Sequence, residues 1–253
     1  MSIKSKVFAA AATLTLIGGA SAVGALTATT ASAATPSCGS GCIDPFSFQF
    51  GTHHTPNYVL DVFKQGEKVG QPVILFRSSN ADPAEDWTAS YQGQVSDFYA
   101  AGLVSAAVEL HYGGGITVTE PGGDGFPDLY AWELQYSPYG VDSGLCAGIA
   151  GGLPSSGEKV TLQPCGESAS TVLITDTENA AGWSDDYVPV IIGSDTNFSQ
   201  PFVLDYPHNG FPTDTPRPQL YVDNLTGFSQ GSILNETGVI DTQEWGIDTG
   251  VLP

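Results

Sequence analysis

The 253-residue chain carries 27 acidic and 7 basic residues, so its formal net charge is −20. A surface this acidic repels phosphate backbones and anionic membranes, so nucleic acids and membranes are not expected partners. We interpret the acids as keeping the protein soluble, in preference to binding a specific cationic partner. The 31 glycines, 17 prolines and single methionine are typical of a loop-rich β protein.

The N-terminus has the pattern of a secretory signal peptide. Lys4 and Lys6 precede an apolar, alanine-rich run from Val7 to Leu26, and Ala31-Ser32-Ala33 supplies small residues for cleavage after Ala33. A retained membrane anchor is the alternative, which the threonines, serines and glycines of the run disfavour. We therefore expect residues 1–33 to be removed and residues 34–253 to form one secreted, monomeric domain without a cofactor.

Short apolar runs bounded by turn residues predict β-strands along the rest of the chain. In chain order, the predicted strands are Phe46–Phe50, Tyr58–Val62, Val73–Phe76, Thr88–Gln92, Val104–Leu110, Ile116–Thr119, Tyr130–Tyr136 and Val188–Ile192. A helical period is weakly present only at Ser96–Ala107, where glycine and valine interrupt it. Many short strands separated by turns predict a sandwich or a closed barrel.

One motif recurs in three copies, at about 57–87, 145–175 and 202–247, and an internal repeat of this kind decides the fold. Each copy has a first apolar strand, a turn and a second apolar strand. The first copy ends at a tryptophan, and so does the third, after a long insertion. The matching segments are Leu60-Asp61-Val62, Val73–Phe76 and Glu85-Asp86-Trp87; Leu145-Cys146 and Val160–Cys165; and Leu204-Asp205, Gln219–Tyr221 and Gln243-Glu244-Trp245.

These segments resemble the repeat of ricin-type β-trefoil lectin domains, which has an L-C-x-D-x strand, a V-Q-L-W-P-C strand and a Q-x-W closure. The resemblance covers about half of the chain beyond the signal peptide. It implies an all-β, β-trefoil-like barrel of short strands and a non-catalytic, carbohydrate-binding function with a glycan or extracellular polymer as partner. Thr88–Gly140 is either a fourth unit or an insertion.

Four cysteines in an exported chain suggest two disulfides, for which three connectivities exist. Cys38 and Cys42 flank two glycines and a serine that let a tight loop close, whereas Cys146 and Cys165 bracket the two strands of the second copy. We predict the pairs Cys38–Cys42 and Cys146–Cys165. No histidine stands at ligand spacing from either pair, so zinc is not expected.

The resemblance implies sugar sites built from a carboxylate that accepts sugar hydroxyls, an aromatic ring that stacks, and a nearby amide. The third copy matches best, with Asp205, Tyr221 and Gln243. The first copy offers Asp61 and Phe76, but with Ala84 and Glu85 where the family has Asn and Gln. The second fails, because Gly148 and Gln163 replace the acid and the aromatic. Alternatively, these positions serve only the core and turns of a secreted structural or interaction protein.

A hydrolase is the third alternative, because Gly227-Phe228-Ser229-Gln230-Gly231 matches the G-x-S-x-G nucleophile elbow. All four histidines, at positions 53, 54, 111 and 208, precede Ser229, whereas that fold places its histidine later in the chain. We therefore predict that the protein is not an enzyme. The acids at Asp124, Asp128 and Ser184-Asp185-Asp186 fit no calcium loop and are interpreted as solvated, so no metal is expected.

Overall fold

The computed structural model describes residues 42, 44–47, 58–77, 82–114, 128–175, 188–207, 218–226 and 240–248. All of them belong to one compact unit, Ser32–Pro253. Several predictions fall outside the described residues: the signal peptide, Cys38, the strand at Ile116–Thr119, Asp124, the Ser184-Asp185-Asp186 stretch and Ser229. Within the described ranges, no helix is both long and apolar enough to cross a membrane.

Twelve strands form in the described chain, and they fall into three successive groups of four. The first group comprises β1 (Asp44–Ser47), β2 (Tyr58–Val62), β3 (Val73–Arg77) and β4 (Trp87–Gln94). The second comprises β5 (Tyr130–Tyr136), β6 (Leu145–Ile149), β7 (Glu158–Pro164) and β8 (Val172–Thr175). The third comprises β9 (Ile191–Ile192), β10 (Phe202–Asp205), β11 (Tyr221–Asn224) and β12 (Trp245–Asp248).

The pairing of the strands joins the three groups in a ring. In each group the two middle strands form an antiparallel pair. The last strand of each group pairs with the first strand of the next group, β4 with β5, β8 with β9 and β12 with β1. Three four-stranded groups closed in this way form a β-trefoil-like fold, so the predicted all-β architecture is confirmed.

Two tryptophans take equivalent positions, because each is the first residue of the last strand in its group. Trp87 and Trp245 are at most 1 % exposed. Their indole nitrogens donate to the main-chain carbonyls of Leu60 and Leu204, each over 3.0 Å. At about 200 Å² of buried surface and 25 cal/mol per Å², each ring contributes roughly 5 kcal/mol before entropy is subtracted. The second group has Leu173 at this position and therefore lacks the hydrogen bond.

The Cys146–Cys165 disulfide is present as predicted. Cys146 lies on β6 and Cys165 directly follows β7, and their Cα atoms are 5.1 Å apart. The bond therefore ties together the two neighbouring strands of the second group. Cys42 is buried, whereas the Cys38–Cys42 pairing stays a prediction because Cys38 is not described.

The described residues between β4 and β5 form an insertion between two paired strands and not a fourth unit. It holds two short helices, α1 (Val95–Ala100) and α2 (Ala106–Tyr112). The strand predicted at Val104–Leu110 is therefore wrong. The Ser105 hydroxyl accepts a hydrogen bond from the Val108 amide over 3.2 Å, and this cap starts α2 where the apolar run alone suggested a strand.

Both helices bury one face on the sheet. The helices pack against residues of β5, β8, β9 and β10 in one buried apolar cluster, which includes Val95, Phe98, Val108, Tyr112, Ile174, Ile191 and Val203. The 3- and 4-residue spacings on the helices match one helical face. The weak helical period at Ser96–Ala107 overlaps both helices, and the turn between them is where that period is interrupted.

The other predicted strands agree with the structure where it describes them. Tyr58–Val62 and Tyr130–Tyr136 have the predicted bounds, and β4 extends the strand predicted at Thr88–Gln92. Only Ile191–Ile192 of the strand predicted at Val188–Ile192 is regular, and Val188 forms an isolated bridge with Trp245.

Candidate functional site

The register of each hairpin shows which residues take equivalent places in the three groups. Asp205 on β10 lies opposite Tyr221 on β11. In the first group Asp61 lies opposite Ile74, and in the second Gly148 lies opposite Thr161. Directly opposed side chains are neighbours on one face of a hairpin. The third group alone therefore pairs a carboxylate with an aromatic ring.

Asp205 is held firmly by its surroundings. It is 3 % exposed. One carboxylate oxygen, Oδ1, accepts the Tyr206 amide over 2.6 Å, and the other, Oδ2, accepts the Gln243 side-chain amide over 2.9 Å. The Thr242 hydroxyl meets no acceptor at ordinary hydrogen-bond geometry, yet it faces this carboxylate closely enough to act on its pKa. The hydrogen bond from Gln243 therefore fixes the orientation of the Asp205 carboxylate.

Gln243 connects three parts of the third group. Its amide nitrogen also donates to the Asn224 carbonyl over 3.0 Å, and its Oε1 accepts both the amide and the hydroxyl of Thr226. Because every polar atom of the side chain is engaged, its orientation toward Asp205 is fixed. Gln243 therefore positions the carboxylate and has no polar atom left for a ligand.

The pKa values of Asp205 and Tyr221 are both raised, mainly because the two side chains are buried. Burial raises the pKa of Asp205, and the nearby Thr242 hydroxyl and the hydrogen bonds from Gln243 and the Tyr206 amide oppose this rise. Burial, followed by the charges of Asp205 and Asp223, raises the pKa of Tyr221 to about 12. Tyr221 is therefore a neutral phenol at physiological pH, and it can donate a hydrogen bond as well as offer its ring.

One approach to the Tyr221 ring is occupied by a cation. Lys159, the cross-strand partner of Tyr221 on β7, places its Nζ 5.0 Å from the ring centre. A cation over a tyrosine ring is worth about 0.5–1 kcal/mol at an exposed site. A sugar stacking on this face would have to displace Lys159, which has a long flexible side chain.

The first group does not reproduce this arrangement. Phe76 lies opposite Val59, two cross-strand pairs further along the hairpin than the Asp61–Ile74 pair. The residue equivalent to Phe76 in the third group is Asp223, since both lie two positions beyond the residue that faces the aspartate. Alignment by motif treated Phe76 and Tyr221 as equivalents, and the hairpin register shows that they are not.

The second group has no space for an acid. A Cβ atom on Gly148 would lie 2.5 Å from the Ser170 carbonyl oxygen and 3.0 Å from the Thr171 Cα. The 3-10 turn Ala169–Thr171 has therefore closed over the position that aspartate takes in the other groups. This close approach explains why the second copy has glycine in its motif.

Sequence reasoning missed a group of acids in the first unit. Asp61, Asp82 and Glu85 each place a carboxylate oxygen so that these atoms lie within 4.8 Å of one another. Asp61 and Glu85 are buried, and Asp82 is partly exposed. Glu85 belongs to the 3-10 turn Pro83–Glu85, which takes the same place as the turn Asp241–Gln243 of the third group. Glu85 is thus the counterpart of Gln243, as its place before Trp87 indicated.

Comparisons with known proteins give structural likenesses only. No family model and no curated protein matches the chain. A designed protein with threefold symmetry, ThreeFoil, superposes with a TM-score of 0.45 and 15 % identity over 82 % of this chain and 97 % of its own. A mosquitocidal holotoxin superposes with a TM-score of 0.46 and 11 % identity over 82 % of this chain and 17 % of its own. The chain thus spans about a sixth of the toxin's length.

Proposed function

We propose that this protein is an exported, non-catalytic carbohydrate-binding protein that holds an uncharged glycan weakly through its third unit. The observation that carries the proposal is the cross-strand pair of Asp205 and Tyr221, with the Gln243 amide fixing the carboxylate. A carboxylate and an aromatic ring on one face of a hairpin are the two groups that a sugar ring requires.

The roles of the two side chains differ. Tyr221 offers its ring to the apolar face of a sugar after Lys159 swings away. The Tyr221 hydroxyl contacts the Tyr206 carbonyl over a long 3.5 Å, so a sugar hydroxyl can replace it without losing a strong bond. Asp205 accepts hydroxyl hydrogen bonds, and its engaged oxygens leave few acceptor positions. Binding is therefore weak, and one or two hydroxyls of the sugar dominate recognition.

A glycan-array screen of the purified protein, followed by titration calorimetry on each hit, tests this proposal. Asp205→Asn keeps the shape of the side chain and removes the charge, and we expect affinity to fall at least about tenfold, since a hydrogen bond to a charged group is worth about 1.5–3 kcal/mol. Tyr221→Ala should abolish binding, and Lys159→Ala should preserve or tighten it by uncovering the ring. Glu109→Gln on α2 is the matched control for loss of one negative charge.

A second function is favoured by a specific observation. Asp205 is 3 % exposed and the Lys159 cation lies over the Tyr221 ring. Both features hinder access of a sugar, so they also fit a protein that keeps the β-trefoil-like fold without a sugar site. The protein would then be a secreted structural or interaction protein. Absence of binding to any glycan, or glycan binding that survives both Asp205→Asn and Tyr221→Ala, overturns the proposal for the third unit. In the latter case Asp61→Asn and Phe76→Ala locate the site.

A further inference from the structure

The loop between β5 and β6 presents the most exposed aromatic ring of the described chain. Tyr139 is 69 % exposed, and Val141, two positions further along the same turn, is 67 % exposed. Neither side chain contributes much to the core, because most of its surface stays in water. Apolar side chains that lie together on the surface are typical of contact sites for other molecules, so this loop is a candidate contact surface.

The backbone of Tyr139 has a conformation that tyrosine rarely adopts. Its φ of 56° and ψ of 25° lie in the left-handed region, which is unfavourable for a residue with a Cβ atom and which glycine and asparagine adopt more readily. The turn is fixed by its hydrogen bonds, since the Tyr139 amide donates to the buried Asp86 carboxylate and the Gly140 amide donates to the Ser137 carbonyl, each over 2.8 Å. A strained residue whose ring is presented to solvent from a fixed turn indicates a use outside the fold.

The equivalent loop of the third group has its aromatic ring covered by the protein itself. That loop joins β9 to β10 and contains Phe198. The His111 ring of α2 stacks on Phe198, with ring centres 4.3 Å apart and planes inclined by 24°, and the Tyr112 ring meets Phe198 edge-on over 5.5 Å. Within the described residues no ring lies on Tyr139. Its ring is therefore open to a flat ring that comes from outside the protein.

The same loop carries an oriented carboxylate. Asp142 is exposed, and its Oδ1 accepts the hydroxyl of Ser137 over 3.1 Å and that of Thr88 over a longer 3.5 Å. Its Oδ2 receives no hydrogen bond from the part of the chain that the structure describes. A charged oxygen in this position can accept a hydroxyl hydrogen bond from a ligand. The loop thus supplies an aromatic ring and a carboxylate, the two kinds of group that a sugar ring requires.

We propose that the β5–β6 loop is a second carbohydrate contact, which holds a neutral polysaccharide through Tyr139 and Asp142. Tyr139 stacks on the apolar face of one sugar, and Asp142 accepts a hydroxyl hydrogen bond. The net charge of −20 disfavours polymers that carry phosphate or sulfate groups. This inference rests on the proposed carbohydrate-binding function but on none of the residues of the third unit. A polymer offers many equivalent sugars, so two weak contacts with one polymer molecule combine their affinities, which a single sugar cannot achieve.

Cosedimentation of the purified protein with insoluble cellulose, chitin and xylan measures the contribution of the loop. Tyr139→Asn removes the ring and introduces a residue that tolerates left-handed backbone, so folding is preserved. For each polymer that binds the wild type, we expect the affinity of this variant to fall about two- to tenfold. Tyr139→Phe keeps the stacking ring and should bind almost as the wild type does. Tyr99→Ala, which removes another exposed tyrosine, should leave binding unchanged.

Nitration by tetranitromethane, followed by peptide mass spectrometry, locates the contact directly. Tyr139 should be nitrated in the free protein and protected by bound polymer, whereas Tyr99, which is 44 % exposed, should be nitrated in both states.

The outcomes separate this proposal from the one for the third unit. If Tyr139→Asn weakens binding and Tyr221→Ala does not, the loop is the contact and the third-unit proposal fails. The proposal for the loop is overturned if no polymer binds, if Tyr139→Asn binds every polymer like the wild type, or if bound polymer leaves Tyr139 open to nitration. Protection of Tyr139 by polylysine but by no polysaccharide also overturns it, because the loop then contacts a cationic partner.

Discussion

Replacing Gly148 by alanine tests whether the second unit is closed to any side chain. The added Cβ would lie 2.5 Å from the Ser170 carbonyl oxygen and 3.0 Å from the Thr171 Cα, both backbone atoms that cannot rotate away. The turn has to move by several tenths of an ångström, and such overpacking costs about 1–3 kcal/mol. Removing a strand glycine would otherwise gain about 0.5–1 kcal/mol. We therefore expect Gly148→Ala to lower the free energy of unfolding by about 1–2 kcal/mol.

Urea unfolding followed by tryptophan fluorescence, together with calorimetric melting, measures this loss. For a chain of this size the melting temperature should fall by roughly 2–8 °C. Gly152→Ala is the matched control, because a Cβ at Gly152 meets no atom within 4 Å. Its stability should change by less than about 0.5 kcal/mol. If Gly148→Ala is as stable as the wild type, the turn is not closed over this strand and the explanation for the lost acid is wrong.

Three further outcomes are expected. Trp87→Phe and Trp245→Phe should each lower the free energy of unfolding by about 2–4 kcal/mol, since each leaves a buried carbonyl without its donor and a gap beside it; equal losses in urea titrations check that the two sites are equivalent. Tyr221 holds its proton to about pH 12 when folded, so stability should fall as pH rises above about 10, where the unfolded chain ionises. Tyr221→Phe should lose less stability over that range, and a parallel decline in both proteins would contradict the assignment. Converting Cys146 and Cys165 together to alanine should lower the free energy of unfolding by about 3 kcal/mol, because the bond joins residues 19 positions apart. Dithiothreitol should therefore destabilise the variant less than it destabilises the wild type.

The sequence predicted the hairpins well and the insertion poorly. Tyr58–Val62 and Tyr130–Tyr136 are β-rich runs with turn residues on both sides, so local composition defines their ends. Helices α1 and α2 are six and seven residues long and a turn separates them, so the sequence shows only a weak, interrupted helical period there. Their stability comes from packing on the sheet, which a local pattern does not contain.

The candidate sites show the same division. Asp205 and Gln243 were found because each matches a position of the repeat motif, and the structure joins them by a hydrogen bond. The register error at Phe76 arose because a side chain's partner depends on which residues pair across the hairpin. The Asp61 and Glu85 contact was invisible in the sequence, since it is created only when the 3-10 turn folds back over β2.

Because β12 pairs with β1, each of the three groups pairs with both of the others. The arrangement of the groups in space therefore does not depend on which of them comes first in the chain. Asp44 and Asp248 are direct partners in the ladder, so backbone at the two ends of the described chain lies about 5 Å apart. A short glycine linker can join these strands, and the chain can be opened elsewhere, for example at Gly102 between the two helices. Such a circular permutant keeps every strand pairing of the original chain. We expect it to fold to the same structure, because the fold requires the same pairings wherever the chain begins.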